Sequence, residues 1–577
     1  MAKVLNSIAE YLRLIRKLLI RREKALLFSW FFVQSILVIL DFGALVLAGL
    51  SASAFIPIIQ SHPENIPQII VNLHAHFNST ISMYEFLFCL AGISGLMLLF
   101  RSFMSVITEK IFYLKLSAIT VRLAKVILVT HYKTPIEKRV QKSEIDLMHA
   151  VHESLNSLTI FVLGNLVIVG AEIFNSFVLL TAMFVWKPLV TGVLICFIIL
   201  SILISYKFHI QKSQSLLKNF SNLNSECVKE YFDLNGISND LRIRSQFGNY
   251  MTLYLQQRMK LSKAIAIRQV QFGFPRLILE TSIVLGGLFS GVLIWYTLSI
   301  AQGLVVLSSL MIIGIRLQPA ILKIQNGIQV MLQHKESSSA AQGVLSFYQP
   351  LYSKDEAAEL YDFSPKNGKL AVKHLGYKFA DEHVLFKDVN FDFSETGLYL
   401  VKGKNGIGKT TIFEIIAGLR EPFEGSIEFG GINLLEIPQE LLGKFLSYLP
   451  QNPYFYNQTI ADSLMLDESS SKFDNERFKE CLRILEVLQF DLVKHDLFTK
   501  FNLAEYLSEG EKAKLSLVRT LIRQSDILLL DEPTATLDPN SRIAVRDFLE
   551  LESKKRLVLV ISHDDLFDEI ASGEWEI

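Results

Sequence analysis

The stretch "LYLVKGKNGIGKTTIFEIIAGL", Leu398 to Leu419, decides the fold of the C-terminal part of the chain. Its pattern predicts an apolar strand, a glycine-rich loop and a helix. The loop contains three glycines, Gly403, Gly406 and Gly408. Such glycines let backbone N–H groups surround phosphates, and the start of the following helix adds its dipole. Lys409 is then placed to reach the β- and γ-phosphates of a nucleotide, and the Thr410 hydroxyl to bind Mg²⁺.

Two further stretches supply groups for chemistry on that phosphate. "DILLLDEPTATLD" (526–538) is a buried strand ending in two carboxylates. Asp531 is placed to hold Mg²⁺ through water, and Glu532 to act as general base on the attacking water. "RLVLVISHDD" (556–565) is another apolar strand, and His563 follows it at the edge of the sheet where ligands bind. Alternating strands and helices after residue 369 predict a largely parallel α/β domain.

The first 345 residues have a different character. The chain has 577 residues, of which 50% are hydrophobic and 20% charged, so a wholly soluble protein is disfavoured. Apolar runs of the length that crosses a bilayer cover residues 26–50, 84–107, 158–186, 188–206, 275–298 and 300–325. Lys and Arg cluster at the N-terminus and in 101–148 and 207–268, which places both termini and these loops in the cytoplasm.

Other segments carry weaker signals. The first 24 residues form a basic amphipathic stretch, for which we predict a helix on the cytoplasmic membrane surface. Within the first outer loop, residues 66–77 fit a short amphipathic surface helix or a plain loop equally well. Residues 346–368 are polar and predict a linker. The four cysteines form no metal or disulfide pattern, and a formal net charge of zero argues against nucleic acid as a partner.

In the order and spacing of its motifs, the region 369–577 resembles the nucleotide-binding domain of ABC transporters. The resemblance implies that Gly403 to Thr411 form the Walker A loop, that Gln451 in "YLPQNPYFYNQTI" is the Q-loop residue, and that His563 is the switch histidine. The catalytic group is then Glu532, His563 and Gln451, and the ligands of Mg²⁺ are Thr410, Gln451 and Asp531. The residues implied to bind ATP are Phe379 (stacked on adenine), Gly403, Lys404, Asn405, Gly406, Ile407, Gly408, Lys409, Thr410, Thr411, Ser508, Gly510 and Asp538 (in the D-loop).

The signature motif of that family corresponds to Leu507–Glu511 in "YLSEGEKAKLSL". In the family, the serine and the second glycine bind the γ-phosphate of ATP held by the other subunit, and Ser508 and Gly510 are kept here. The family usually has glycine and glutamine where this chain has Glu509 and Glu511. We expect Glu509 to face solvent or a cation such as Lys512 or Lys514. Ser508 and Glu511 also fit a capping box at a helix start.

The predicted fold is therefore a multidomain membrane protein. An all-α transmembrane domain of six helices (1–345) precedes a linker (346–368) and an α/β P-loop ATPase domain (369–577). Six spans fused ahead of one ATPase domain resemble ABC half-exporters, which implies a homodimer, or alternatively a heterodimer, in the bacterial inner membrane. Low-specificity candidates for the coupling segments of the cytoplasmic loops are residues 132–144 and 231–242. The resemblance also implies that ATP-driven closure of the ATPase pair turns the cavity outward.

Ionisable residues within the spans are the candidates for substrate contact, because charge is costly there. Arg316, Arg101 and Asp41 are predicted to line the cavity, whereas an i,i+4 ion pair explains Arg276 and Glu280. Arg101 also fits snorkelling to the cytoplasmic interface.

The segments "FPRLILE" and "GIRLQPA" and the outer helix resemble bacterial flippases of lipid-linked oligosaccharides. A polyprenyl-pyrophosphate-linked glycan is thus the leading substrate hypothesis. Export of a cyclic or modified peptide is the alternative, and lipid or drug efflux is third. A soluble ATPase would lack the spans, and intact Glu532 and His563 argue against a channel or receptor with a purely regulatory ATPase.

Overall fold

The structure is a computed structural model of the chain. It describes residues 18–59, 68–77, 82–139, 144–205, 211–297, 300–355, 369–379, 383–394, 396–434, 437, 439–455, 457–465 and 476–577. The predicted surface helix over the first 24 residues lies mostly outside this part of the chain. The described residues form two compact units, one within Met1–Leu128 and Lys142–Pro350 and the other within Val129–Gln141 and Leu351–Ile577.

The first unit is built of helices. The helices of residues 18–355 are α1 (Arg21–Ile59), α2 (Gln68–Phe77), α3 (Met83–Lys133), α4 (Glu144–His149), α5 (Asn165–Trp186), α6 (Pro188–Ser205), α7 (Gln211–Gly236), α8 (Ser238–Ile243), α9 (Phe247–Thr297), α10 (Ile300–Gln333) and α11 (Lys335–Asp355). A 3₁₀ turn at Ile136–Lys138 follows α3, and two π-helical segments, Ala150–Ser154 and Ser157–Gly164, join α4 to α5. Both 51-residue helices, α3 and α9, extend far beyond the length that a bilayer core requires.

The described residues of all six predicted spans are helical. Within the described residues, four helical stretches are long and apolar enough to cross a membrane: Arg21–Ser51, Met83–Lys133, Leu147–Val185 and Arg276–Tyr296. Pro188–Ser201, in the fourth predicted span, is apolar but shorter, and the sixth predicted span lies on α10. The count of six spans therefore stays a prediction.

For the region 66–77 the sequence left a helix and a loop equally open, and its described residues, 68–77, form helix α2. Its Ile70 is fully buried against Ala54 of α1 and Leu87 of α3. This contact ties α2 to the ends of two membrane helices, because an apolar side chain on one face of a short helix gains by leaving water.

The second unit is an α/β domain. Its strands are β1 (Leu370–Lys378), β2 (Val384–Phe393), β3 (Gly397–Lys402), β4 (Glu424–Phe429), β5 (Ile432–Asn433), β6 (Leu446–Leu449), β7 (Asn457–Gln458), β8 (Phe501–Asn502), β9 (Ile527–Asp531), β10 (Leu557–Ile561) and β11 (Gly573–Glu576). Its helices are α12 (Lys409–Ile416), α13 (Gln439–Phe445), α14 (Ile460–Leu464), α15 (Glu476–Val487), α16 (Leu503–Tyr506), α17 (Glu509–Leu521) and α18 (Pro539–Ser553).

A five-stranded parallel sheet forms the centre of this unit, in the order β11-β3-β10-β9-β6. A smaller antiparallel sheet has the order β2-β1-β4-β5. Alternate residues of the central strands enter two different apolar clusters: Leu528 and Leu530 contribute to one, and Ile527 and Leu529 to the other. The sheet is buried on both faces, which explains why these strands are nearly continuous apolar runs in the sequence.

The predicted linker begins too early. Helix α11 continues to Asp355, so residues 346–355 are helical, and residues 356–368 lie outside the described part of the chain. Tyr348 is fully buried, which is why this polar-looking stretch still forms ordered structure.

Arg556 connects the end of α17 to the start of β10. Arg556 is only 7% exposed. Its guanidinium donates to the carbonyls of Leu521 (2.9 Å) and Arg523 (2.7 Å) and forms an ion pair with Glu552 (2.8 Å). Carbonyl groups at a helix C-terminus have no intrahelical donor, and Arg556 provides one.

We predict that Arg556→Met destabilises this domain by about 3 kcal/mol, because it leaves Glu552 and two carbonyls without a buried donor. Faster amide hydrogen exchange in β9 and β10 of the full chain would measure the loss. The control is Lys555→Met, which removes a neighbouring, 70% exposed lysine paired with the same glutamate and should change stability by less than about 0.5 kcal/mol. Equal exchange in both variants would contradict the role given to Arg556.

Candidate functional site

The glycine-rich loop follows β3 and leads into α12. Gly408 has φ +109°, and a Cβ added there would lie 2.8 Å from Leu385 Cδ2, so both backbone conformation and space require glycine. Gly403, with φ +154°, would place a Cβ 3.1 Å from the Ile577 carbonyl oxygen. The Lys409 ammonium donates to the carbonyl oxygen of Gly403 at 2.7 Å, so it lies above the loop. A phosphate held by the loop would meet this cation.

The loop helix and the acidic strand meet through one hydrogen bond. The Thr410 hydroxyl donates to Asp531 Oδ2 at 2.7 Å. Asp531 is only 2% exposed, and burial, helped by the neighbouring Glu532 and Glu414 charges, raises the pKa of its carboxyl. A buried carboxylate beside a hydroxyl oxygen is an oxygen donor set that suits Mg²⁺, since a divalent cation would stabilise the charge that burial disfavours. The residues present therefore fit this ion.

Glu532 and His563 are also brought together. His563 Nε2 lies 3.6 Å from Glu532 Oε1, and the Glu532 N–H donates to the Ile561 carbonyl at 2.9 Å. Glu532 has φ +50°, a left-handed conformation that is uncommon for residues other than glycine. Strained backbone of this kind is held by surrounding structure and clusters at functional sites. The sequence contained no signal for this conformation.

The remaining predicted nucleotide contacts lie in the glycine-rich loop, on the helix that follows it and after β6. Lys404 and Asn405 are exposed at the tip of the loop, and Ile407 donates to Lys404 in a turn. Thr411 follows Thr410 on α12, and Gln451 is exposed two residues beyond the end of β6. The role of each is still a prediction.

Phe379, the predicted adenine contact, lies directly after β1. It is 38% exposed, and its ring is near parallel to that of His383, at 6.4 Å between centroids. Its edge contact with the buried Tyr377, at 5.4 Å, fixes the position of the ring.

The signature stretch begins helix α17, and both halves of the capping box are present. Ser508 is the N-cap: its Oγ accepts from the Glu511 N–H at 3.3 Å, and the Glu511 carboxylate accepts from the Ser508 N–H at 2.8 Å. Glu509 is exposed and pairs with Lys512 at 2.8 Å, as expected from the sequence. The unusual acidic residues are thus each held by a specific partner.

The start of α17 also contacts the segment that follows Glu532. A Cβ at Gly510 would lie 3.2 Å from the Thr536 carbonyl oxygen, so the absence of a side chain permits this approach. Lys514 is buried and pairs with Asp538 at 3.0 Å, and the Asp538 side chain caps α18 by accepting from the Ser541 N–H at 3.0 Å. These bonds lower the pKa of Asp538 and keep it ionised. The predicted signature and D-loop residues therefore form one structural piece.

Residues 129–141 belong to the same unit as the ATPase sheet. Glu137, in the 3₁₀ turn, accepts from the Tyr377 hydroxyl at 2.6 Å, from Arg420 Nη1 at 3.3 Å and from the Glu421 N–H at 3.1 Å. Arg420 also bonds Glu414 of α12. The segment predicted to couple, 132–144, is therefore joined to the helix that follows the phosphate loop. The sequence did not indicate these partners, which lie 240 to 284 residues beyond Glu137 in the chain.

In the first unit, the predicted cavity residues Asp41 and Arg101 pair with each other at 2.9 Å. Arg276 and Glu280 form the predicted i,i+4 pair at 2.7 Å. The backbone of Arg316 lies on α10, but its side chain is outside the part that the structure describes.

A third charged group in this unit centres on Lys323, which the sequence reasoning did not single out. Lys323 of α10 lies 3.0 Å from Glu109 of α3 and 3.5 Å from Glu172 of α5. Only the tertiary structure brings these three helices together.

Comparison with known proteins agrees with this geometry. Residues 386–535 match the family model described as ABC transporter. Over 214 residues, the chain is 28% identical to the β-(1→2)glucan export ATP-binding/permease protein NdvA of Bartonella henselae, covering 37% of this chain and 36% of that protein. Over 205 residues, it is 30% identical to the nisin transport ATP-binding protein NisT of Lactococcus lactis, covering 34% of each. The chain thus spans about a third of the length of these curated relatives.

The likeness to a solved structure extends much further. A bacterial Atm1-family ABC exporter with ATP bound is similar over 94% of this chain and 91% of that one, with a TM-score of 0.67 and 15% identity. This likeness shows the fold, a helical membrane domain followed by an α/β ATPase domain. The chain has the fold of this exporter, and residues 386–535 of its ATPase domain match the ABC transporter family.

Proposed function

We propose that the protein is an ATP-driven exporter that moves an amphipathic substrate outward across the bacterial inner membrane. The observation that carries this proposal is the set of contacts at one sheet edge: Thr410 bonded to Asp531 at 2.7 Å, and His563 at 3.6 Å from Glu532. These side chains follow three adjacent strands and surround the place that the glycine-rich loop offers to phosphate.

The roles of the residues follow from their chemistry. When bound, Mg²⁺ would be held by Thr410, Asp531 and Gln451 and would neutralise charge on the phosphates. Glu532 orients and deprotonates the attacking water. His563 positions the Glu532 carboxylate and would contact the γ-phosphate. Ser508 and Gly510 of one copy would complete the site of a second copy, so the working form is a homodimer.

Glu137 provides the mechanical connection in this proposal. It binds Tyr377, which contacts Phe379, and Arg420, which binds Glu414 on the loop helix. A shift of the turn at 136–138 would therefore displace the adenine contact and the phosphate loop, since hydrogen-bonded charged groups move together.

The substrate that we favour is a polyprenyl-pyrophosphate-linked oligosaccharide. Helix α2, packed by Ile70 on the ends of two membrane helices, is placed to contact a lipid tail. Arg101 is already neutralised by Asp41, which leaves Arg316 as the candidate for the pyrophosphate. The name of one relative refers to export of a glucan, also a saccharide.

Export of a modified peptide is the second candidate. It is favoured by the similarity of the ATPase domain to a nisin transport protein. Lipid or drug efflux ranks third because no described contact favours it.

ATP hydrolysis by the full chain in nanodiscs tests the proposed function. We expect basal hydrolysis that Glu532→Gln reduces at least about 100-fold, because the general base is lost. Micromolar lipid-linked oligosaccharide should stimulate it, bare polyprenol should not, and Arg316→Ala should abolish the stimulation.

The outcomes separate the hypotheses. Stimulation by a modified peptide alone would move the assignment to peptide export. Stimulation that persists in Arg316→Ala would remove the role given to that arginine. Equal hydrolysis by wild type and Glu532→Gln would contradict the ATPase site itself.

A separate prediction tests the connection through Glu137. We expect Glu137→Ala to keep basal hydrolysis within about twofold but to lower the stimulated-to-basal ratio at least about fivefold, since charge-assisted bonds worth about 1.5–3 kcal/mol are lost. The substrate is whichever of the two candidates stimulates the wild type.

The matched control is Glu153→Ala, an exposed glutamate of the first unit whose described partner is His149. It should leave the ratio unchanged. An unchanged ratio in Glu137→Ala would show that the turn does not transmit substrate binding.

A further inference from the structure

The hydroxyl of the signature serine is occupied within its own chain. Ser508 Oγ donates to Glu511 Oε2 at 2.7 Å, and the same carboxylate oxygen accepts from the Ser508 N–H at 2.8 Å. Ser508 Oγ also accepts from the Glu511 N–H at 3.3 Å. Because an ionised carboxylate only accepts hydrogen bonds, the single hydroxyl proton of Ser508 points to Glu511.

The other oxygen of the Glu511 carboxylate, Oε1, is held by two donors outside the capping box. Glu511 Oε1 accepts from His495 Nε2 at 2.8 Å and from Lys494 Nζ at 3.3 Å. His495 is 2% exposed and is fixed between the rings of Phe490 and Tyr506, each 5.3 Å away. A buried ring of this kind cannot follow the carboxylate if it moves, so it acts as a rigid anchor.

The carboxylate is strongly committed to its charged form. Partial burial alone would raise the pKa of Glu511, but the bonds from Ser508, His495 and Lys494 outweigh it and lower the pKa to about 2. Glu511 is therefore ionised throughout the physiological pH range and continues to accept the hydrogen bond from the Ser508 hydroxyl.

This arrangement conflicts with phosphate binding. The γ-phosphate oxygens of ATP are acceptors, so Ser508 can bond them only by turning its proton away from Glu511. The carboxylate and the phosphate are both charged acceptors, so a bond to phosphate replaces the bond to Glu511 and is not an additional bond. ATP therefore gains less from Ser508 than it would from a hydroxyl whose proton is free. Glutamine at position 511 would retain the capping box, while its amide N–H₂ could donate to Ser508 Oγ and release the hydroxyl proton.

We propose that His495, Glu511 and Ser508 form a clasp that withholds the signature serine from the γ-phosphate, and that His495 is the positioning residue of this clasp. The inference rests on the proposed function, in which Ser508 meets ATP bound by a second copy. The clasp raises the ATP concentration needed to close the two ATPase domains. The clasp weakens only the contact between Ser508 and the γ-phosphate. It therefore affects the binding of ATP but not that of ADP, which has no γ-phosphate.

The test measures ATP hydrolysis by the full chain in nanodiscs, with KM and kcat determined separately, and ADP binding to the same samples. We expect Glu511→Gln to lower KM about tenfold, because the charged acceptor is removed. His495→Leu, which keeps the bulk but removes the donor, should lower KM about threefold. Affinity for ADP should stay unchanged in both.

Three controls make the result specific. His495→Gln retains an N–H donor and should restore KM to within about twofold of the wild type. The double variant Glu511→Gln/His495→Leu should have the KM of Glu511→Gln alone, since residues of one network are not additive. Glu509→Gln removes the same charge from the same helix turn but touches Lys512, not Ser508, and should change KM less than about threefold.

Two results would overturn the clasp alone: Glu532-dependent hydrolysis with one KM in all variants, or equal shifts in Glu509→Gln and Glu511→Gln. A wild type without Glu532-dependent hydrolysis would instead overturn the proposed function, and the clasp with it.

Discussion

The alignment of three parallel strands is the constraint on which the site depends. Ile561 of β10 pairs with Val401 of β3 on one side and with Asp531 of β9 on the other, so the three strands end at one level. The phosphate loop, the acidic pair and the switch histidine all follow these ends. The Thr410–Asp531 bond then joins α12, the helix that follows β3, to the end of β9, two strands away in the sheet. Because the strands are buried on both faces, a one-residue slip in register would move every side chain into the wrong apolar cluster, and this fixes the register of the edge.

A second level of organisation holds the signature helix. Its start approaches the segment after β9 where Gly510 lacks a side chain, and the Lys514–Asp538 pair joins α17 to the cap of α18. The groups that one copy would offer to the other are thus attached to the same strand that carries Glu532. Any change at the catalytic carboxylate is adjacent to the surface that a partner would meet, which couples hydrolysis to dimer contact in the proposed mechanism.

The membrane unit follows a different rule, in which the charges with described contacts are neutralised locally. Asp41 with Arg101, Arg276 with Glu280, and Lys323 with Glu109 and Glu172 are each within ion-pair distance. Charge in a low-dielectric surrounding is tolerated when it is paired. In the proposed function, selectivity for an anionic lipid headgroup would depend on a further arginine, and the candidate is Arg316 of α10.

The sequence by itself determined the chemistry of the ATPase domain. A phosphate loop needs glycines at fixed spacing, and buried parallel strands need apolar runs, so the sequence located the glycine-rich loop at 403–411 and the strand ends at Asp531 and before His563. The roles of these residues in hydrolysis stay predictions. Local rules also determined the capping box at Ser508, the pairing of Glu509 with Lys512, and the helical character of the six apolar segments, because these depend on neighbours three or four residues away.

Only the tertiary structure decided the contacts between residues distant in the chain. The partners of Glu137, the approach of His495 to Glu511, the Lys323 group and the left-handed backbone of Glu532 have no local sequence signature. The polar composition of residues 346–355 even predicted a linker where α11 continues, since burial of Tyr348 outweighed local preference. Packing, which sums many weak contacts over distant segments, decides such positions, and no short stretch of sequence contains that sum.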